Sequence, residues 1–288
     1  MADEGEQKHT LTGNIQEHPG FASRLLRNER DVLVYLPTGY RRSPKRRYSV
    51  LYLHDGQNVF DAATSFGGVE WGADESAERL TRQGLIEPLI IVAVANTGED
   101  RIHEYAPTRG AIDSGAKRKK RSRGQLRKYG RFLLEELKPF IDRTYRTKPE
   151  AEWTGLGGSS LGGLATIALG LWFPEAFSRL AVMSPSIWWD DCAIYGLVDE
   201  LPGKLPLKIW LDTGTHEPGW ERAAVLRDRL VEKGWRLYDD LQFTEVEGAD
   251  HSEGSWAARF EAVLRFLYPP LPPGVSKPKP VPILARAL

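Results

Sequence analysis

The chain is poor in the groups that staple, ligate or anchor a protein. Its one cysteine, Cys192, cannot close an internal disulfide, so the fold must rest on its own core, and a reducing compartment, the cytoplasm, is the expected setting. Six histidines are scattered without Cys-x-x-Cys or His-x-x-x-His spacing, so no metal site is expected. No apolar run approaches the roughly 20 residues that cross a bilayer, and Met1 opens a polar stretch rather than a basic and then apolar leader, so neither membrane insertion nor secretion is expected. Net charge is also lacking: 39 basic residues offset 39 acidic ones, and without a chain-wide positive field nucleic acid is not an expected partner.

What is present suits one folded unit. The 288 residues are 41% hydrophobic and 10% aromatic, enough for a single large core. Short β-branched and aromatic runs at 30–36, 48–53, 88–95, 153–156, 180–183, 207–211 and 241–246 read as strands. Stretches with helical spacing lie between them, around 73–84, 126–142, 161–172, 219–232 and 254–267. Apolar strands alternating with helices predict an α/β fold with a mostly parallel sheet covered on both faces. We expect a mobile segment over 1–19, one domain over 20–268, and an extended tail over 269–288, where seven prolines forbid a helix. The basic run 117–128 reads as a solvated loop, or alternatively as a lid over an anionic substrate or a nucleic acid tag.

The decisive segment is Trp153 to Leu164, which sets Gly158-Ser159-Ser160-Leu161-Gly162 between a strand and a helix. A serine on so sharp a turn needs glycine two residues before and after it, because neighbouring backbone passes too close for a Cβ. Ser160 meets that condition; Ser159 does not, since Leu161 stands where a glycine would be required. A serine hydroxyl is a weak nucleophile until a histidine takes its proton and a carboxylate orients that histidine. When the nucleophile sits on such a turn the chain order is serine, acid, histidine, which leaves His216 and His251 downstream. His251, in a loop between the last strand and last helix, is the candidate base. For the acid, Glu217 on the loop beyond Gly214 is preferred to Asp212 at the strand's end. Two backbone amides should receive a developing oxyanion, those of Leu161 and Gln57, and His54 is read as structural.

Further motifs carry a resemblance: VLVYLPTGY at 32–40, VLYLHDGQNVFD at 50–61, the Trp71 segment, IIVAVANTGEDRIHEYAP at 90–107, FLLEELKPFID at 132–142, GGSSLGGL, MSPSIWW at 183–189, LDTGTHE and GADHSEGSW. In this order they resemble the esterase family of α/β-hydrolases that includes enterochelin, feruloyl and acetyl xylan esterases and mycolyltransferases. The resemblance implies the α/β-hydrolase fold and a carboxylic ester hydrolase. It places the nucleophile on Ser160, the base on His251, the acid on Glu217 and the oxyanion amides on Gln57 and Leu161. The chain differs from enterochelin esterases in its short leader and its basic run.

No metal or organic cofactor is expected. The expected partner is a small-molecule or carbohydrate ester, and a flat aromatic or carbohydrate one is favoured because Trp71, Trp188, Trp189, Trp220 and Trp256 fall near the catalytic edge; the resemblance adds a siderophore-type ester. Trp71, Trp188, Trp189 and Arg101 are candidate substrate contacts, with an Arg101–Glu104 pair as the other use of that arginine. The alternatives are an acyltransferase on the same fold and a binding protein that has lost its chemistry; a complete set of Ser160, Glu217 and His251 argues against the second.

Overall fold

The computed structural model describes residues 9–112 and 120–270. The first eight residues, positions 117–119 of the basic run and the tail from 271 lie outside these.

The chain forms β1 (Ile15–Ser23), β2 (Asn28–Tyr35), β3 (Ser49–His54), α1 (Ala73–Arg82), β4 (Leu89–Val94), α2 (Arg101–Tyr105), β5 (Ala111–Ile112), β6 (Lys120–Arg121), α3 (Leu126–Phe132), α4 (Lys138–Thr144), β7 (Thr154–Ser159), α5 (Leu161–Trp172), β8 (Arg179–Met183), α6 (Ala193–Asp199), β9 (Lys208–Gly214), α7 (Glu221–Glu232), β10 (Leu241–Val246) and α8 (Glu253–Leu267). Eight strands make one sheet in the order β1-β2-β4-β3-β7-β8-β9-β10. β1, β2 and β4 pair antiparallel, and every pairing from β4 through β3 to β10 is parallel. This is the α/β-hydrolase fold, and no helix among the described residues is long and apolar enough to cross a membrane.

Side chains alternate between two cores, as the strand period of two requires. Val50, Tyr52, Ile90, Val92 and Val94 pack under the helices α2, α3, α5, α6 and α7, while Leu51, Leu53, Leu89, Ile91 and Ala93 pack under α1 and α8. β3 and β4 read as unbroken apolar runs because both faces are covered. The parallel strands all end at one edge of the sheet, so the turns after β3, β4, β7, β8, β9 and β10 converge there.

The structure moves one expected boundary. Residues 15–19, assigned to a mobile leader, lie in β1, and Thr10 and Thr12 ahead of it hydrogen-bond to acidic side chains of the domain. β1 is a half-exposed edge strand whose ladder is interrupted between His18 and Phe21 around Pro19, so its polar composition hid it. The expected helix over 126–142 is instead α3, a π turn at Leu133–Leu137 and α4. The Lys138 N–H reaches back five residues to the Leu133 carbonyl, just before Pro139, which has no N–H to continue an ordinary ladder.

Glycine in β7 is a packing requirement. A Cβ on Gly155 would sit 2.1 Å from the Tyr268 hydroxyl, which donates to the Val50 carbonyl at 3.1 Å. Gly155→Ala should therefore cost about 1–3 kcal/mol of stability by overpacking, measured by denaturant unfolding, and Tyr268→Phe in the same chain should return part of it.

Candidate active site

β7 runs to Ser159, and α5 begins at Leu161. Ser160 between them takes φ 57°, ψ −123°, a conformation costly for any residue with a Cβ. Three contacts hold it there: its N–H donates to the Met183 carbonyl at 3.1 Å, and its own carbonyl accepts from Leu164 and Ser186 N–H groups at 3.0 Å each. The flanking glycines leave the necessary room, since a Cβ on Gly158 would lie 3.0 Å from the Gly162 backbone. The hydroxyl is thereby presented at the sheet edge, and Ser159 stays buried in the strand.

The loops after β9 and β10 are stitched together beside it. His216 N–H donates to the Ala249 carbonyl at 3.0 Å, and Gly248 N–H donates to the Thr215 hydroxyl at 2.8 Å. A Cβ on Gly214 would collide with the Ala249 carbonyl at 2.2 Å, so only glycine permits this approach. The stitched loops bring Glu217 and His251 together. His251 Nδ1 donates to Glu217 Oε2 at 2.8 Å, and Ser160 Oγ donates to His251 Nε2 at 2.9 Å. The His216 side chain is exposed.

Glu217 is held from behind as well. Its Oε1 accepts from Gly214 N–H at 2.7 Å and from the Ser184 hydroxyl at 2.5 Å. Ser184 Oγ itself receives Trp256 Nε1 at 3.0 Å and Arg259 Nη2 at 2.8 Å, so its single proton can only point at Glu217. Burial pushes the Glu217 carboxyl up, but the hydrogen bonds from His251, Ser184 and Gly214 outweigh it and hold the group below its ordinary range. Asp212 is fully buried in β9, with Ser184 N–H at 3.1 Å, Trp210 Nε1 at 2.7 Å and Arg259 Nη2 at 3.3 Å around it. Its oxygens face these groups, and His251 takes Glu217. Burial pushes Asp212 up to about 6 despite Arg259.

Of the two residues expected to supply oxyanion amides, Leu161 follows the serine in the chain and Gln57 lines a cleft together with Ser160. Leu161 opens α5, and Gln57 sits in the turn after β3, where Gly56 lies so close to β4 that a Cβ would be 2.5 Å from the Ala93 backbone. Asp55 at the head of this turn is gripped by Arg101 through two 2.7 Å bonds and by Asn96 Nδ2 at 2.7 Å. Two clefts meet at Ser160 and His251. One, about 670 Å³, is walled by Trp188, Trp220, Ser186 and Arg222; the other, about 590 Å³, by Gln57, Asn96, Arg101 and Glu253.

Several expected contacts are corrected. Trp71 is 2% exposed and donates to Glu253 Oε2 at 2.5 Å, its ring packed against Trp256 and Phe260, so it is core and not a platform. Trp189 is equally buried and donates to Thr108 at 3.1 Å; only Trp188, 52% exposed, offers its ring to the cleft from this pair. Arg101 borders the second cleft but pairs with Asp55, and Glu104 pairs instead with buried Arg30, so the Arg101–Glu104 bridge does not form. His54 is enclosed against Tyr129, and burial lowers it to about 4. Sequence reasoning missed Ser184, Ser186 and Arg259. The two serines stood in the MSPSIWW motif, whereas Arg259 gave no signal, since an arginine on a surface helix ordinarily faces water.

A family model described as "Putative esterase" matches residues 23–267. The chain belongs to this esterase family. It is 27% identical over 263 residues to the ferri-bacillibactin esterase BesA of Bacillus subtilis (strain 168), covering 83% of the chain and 87% of that protein. Among solved structures, the BES protein from Bacillus cereus superposes with a TM-score of 0.70 at 22% identity, over 92% of this chain and 99% of that one. A ferulic acid esterase gives 0.69 at 18% identity, over 88% and 98%. The protein is thus an esterase, and the fold it shares with these structures is that of ester hydrolases.

The buried Asp212 carboxyl makes the esterase's stability pH-dependent. Its native value, near 6, lies above the ordinary 3.8, so the native state holds the proton where the unfolded chain has lost it. Stability from this group is therefore present at low pH and falls as pH rises from about 4 to about 6, by about 2–3 kcal/mol. Asp212→Asn removes that slope. Relative to the parent it should gain stability between pH 4 and pH 7, read by urea unfolding at each pH.

Proposed function

We propose that this esterase cleaves its substrate through an acyl-enzyme on Ser160, with His251 as general base and Glu217 as the acid that orients it. The observation that carries the reading is the unbroken hydrogen-bonded chain from Ser160 Oγ through both ring nitrogens of His251 to Glu217. With Nδ1 protonated toward Glu217, Nε2 accepts the serine proton as Oγ bonds to the ester carbonyl carbon. The carbonyl π pair moves to oxygen, and the amides of Gln57 and Leu161 receive that charge. Collapse re-forms the carbonyl and expels the alkoxide, which takes the proton from Nε2. Water then repeats the sequence, giving its proton to His251 and releasing the acid and the free serine. The ionised Glu217, held low by its donors, stabilises the imidazolium formed in each half.

An aromatic ester is the favoured substrate. Trp188 and Trp220 wall the larger cleft, and the chain is similar to a ferri-bacillibactin esterase and to a ferulic acid esterase. Arg222 in that wall suits an anionic or strongly polar substituent on such a ring.

Ser160→Ala should fold normally and lower kcat for a p-nitrophenyl ester by about 10³-fold or more. Glu217→Gln should lose at least about tenfold more kcat than Asp212→Asn. Equal losses at the two acids would overturn the assignment of Glu217. Trp188→Ala should raise KM for a feruloyl ester more than for an acetyl ester. A parent enzyme that passes the acyl group to an added alcohol in preference to water would make it a transferase instead.

A further inference from the structure

His251 is not the only side chain on the Ser160 hydroxyl. Ser186 Oγ, in the loop after β8, lies 3.2 Å from Ser160 Oγ. The backbone ties the two segments together, because Ser186 N–H donates to the Ser160 carbonyl at 3.0 Å. α5 packs against the same loop: a Cβ on Gly163 would sit 2.6 Å from the Met183 carbonyl and 3.2 Å from Pro185 Cα. Pro185, whose ring fixes φ, and the Trp189 N–H on the Ser186 carbonyl at 3.1 Å stiffen it further. Ser186 is 3% exposed and lines the cleft that also holds Ser160, Trp188 and His251.

A serine oxygen carries one proton and two lone pairs. The Ser160 proton points at His251 Nε2, 2.9 Å away, so the proton between the two serines belongs to Ser186. Among the described residues Ser186 Oγ has no second hydrogen-bond partner to draw that proton away. The Ser160 oxygen is then occupied on three sides, by its own Cβ, by the proton held toward His251 and by the Ser186 donor. One lone pair stays free, and it is the one that can attack. A donor on a neutral oxygen contributes little, and one on an oxygen that carries charge contributes considerably more.

We infer, resting on the acyl-enzyme reading above, that Ser186 is a catalytic residue whose hydroxyl hydrogen-bonds the nucleophilic oxygen through both halves of the reaction. As Ser160 Oγ bonds to the ester carbonyl carbon, its proton passes to His251 Nε2, and the Ser186 hydrogen bond aims the attacking pair. In the acyl-enzyme the same donor draws electron density from the ester oxygen, which keeps the carbonyl carbon open to water. When the second tetrahedral intermediate collapses, the bond from carbon to Oγ breaks, and Oγ keeps the electron pair and recovers a proton from His251. Ser186 stabilises the charge on that departing oxygen. It keeps its own proton throughout and forms no covalent bond. Two serines of one short loop thus serve opposite ends of the chain from Ser160 to Glu217, Ser186 donating to the nucleophile and Ser184 to the acid.

Stopped-flow hydrolysis of p-nitrophenyl acetate by the full chain separates substrate binding, acylation in the burst and deacylation in the steady state. Ser186→Ala should lower both rate constants by about 10- to 100-fold and slow fluorophosphonate labelling of Ser160 likewise. The substrate Kd, read from saturation of the burst rate, should stay within about twofold of the parent, and the melting temperature should not move. Ser186→Cys, which fills the position with a poor donor, should lose as much, and it carries the test if Ser186→Ala folds badly. Parental burst and labelling rates in Ser186→Ala would overturn the role of Ser186 alone. So would a loss confined to Kd, which makes Ser186 a substrate contact, or a Ser186→Cys chain as fast as the parent, which makes it a space-filler. A parent with neither a burst nor a Ser160 adduct would overturn the acyl-enzyme and the role of Ser186 together.

Discussion

The catalytic edge depends on how closely backbone can pass backbone where β7 turns into α5. With Gly158 facing Gly162, the chain reverses within one residue, and Ser160 is left with positive φ and its hydroxyl outside the sheet. A similar approach at Gly214 joins the loops that carry Glu217 and His251, and one at Gly56 sets the turn that carries Gln57 against β4. Each loop starts from the C-terminal end of a parallel strand, so the strand order brings to one edge groups that lie far apart in sequence.

Negative charge at this edge is managed by a compact set of donors behind it. Ser184 relays two donors, Trp256 and Arg259, onto Glu217, and Arg259 also faces Asp212. The two buried acids consequently diverge. Glu217, with three hydrogen bonds and one edge open toward His251, stays below its ordinary range, and Asp212, sealed in the strand, rises above its own. Buried carboxylates so close together need this division, since both could be ionised only at considerable cost in desolvation and repulsion.

Much of this was legible in the chain. Fully buried strands announce themselves as apolar runs, and the glycine spacing around Ser160 has a steric cause that reads directly from sequence. β1 was not legible, because an edge strand with one wet face and a proline lacks that run. The tryptophans misled for a different reason: position near a catalytic loop says nothing about which way a ring turns, and Trp71 and Trp189 turn inward while Trp188 turns out. Asp212 and Glu217, five positions apart, are ranked in sequence by their places on the strand and on the loop beyond Gly214, and the hydrogen bond from His251 to Glu217 agrees with that ranking. Arg259 is an ordinary helix residue in sequence, and only packing gives it company.

The central claim is that Ser160 forms a covalent bond to the reacting centre with the help of His251. Labelling the protein with a fluorophosphonate and mapping the modified peptide by mass spectrometry tests it most directly. The account predicts one adduct per chain, on Ser160, formed far more slowly in His251→Ala. An adduct on Ser159 or Ser186, or labelling that does not depend on His251, would contradict it.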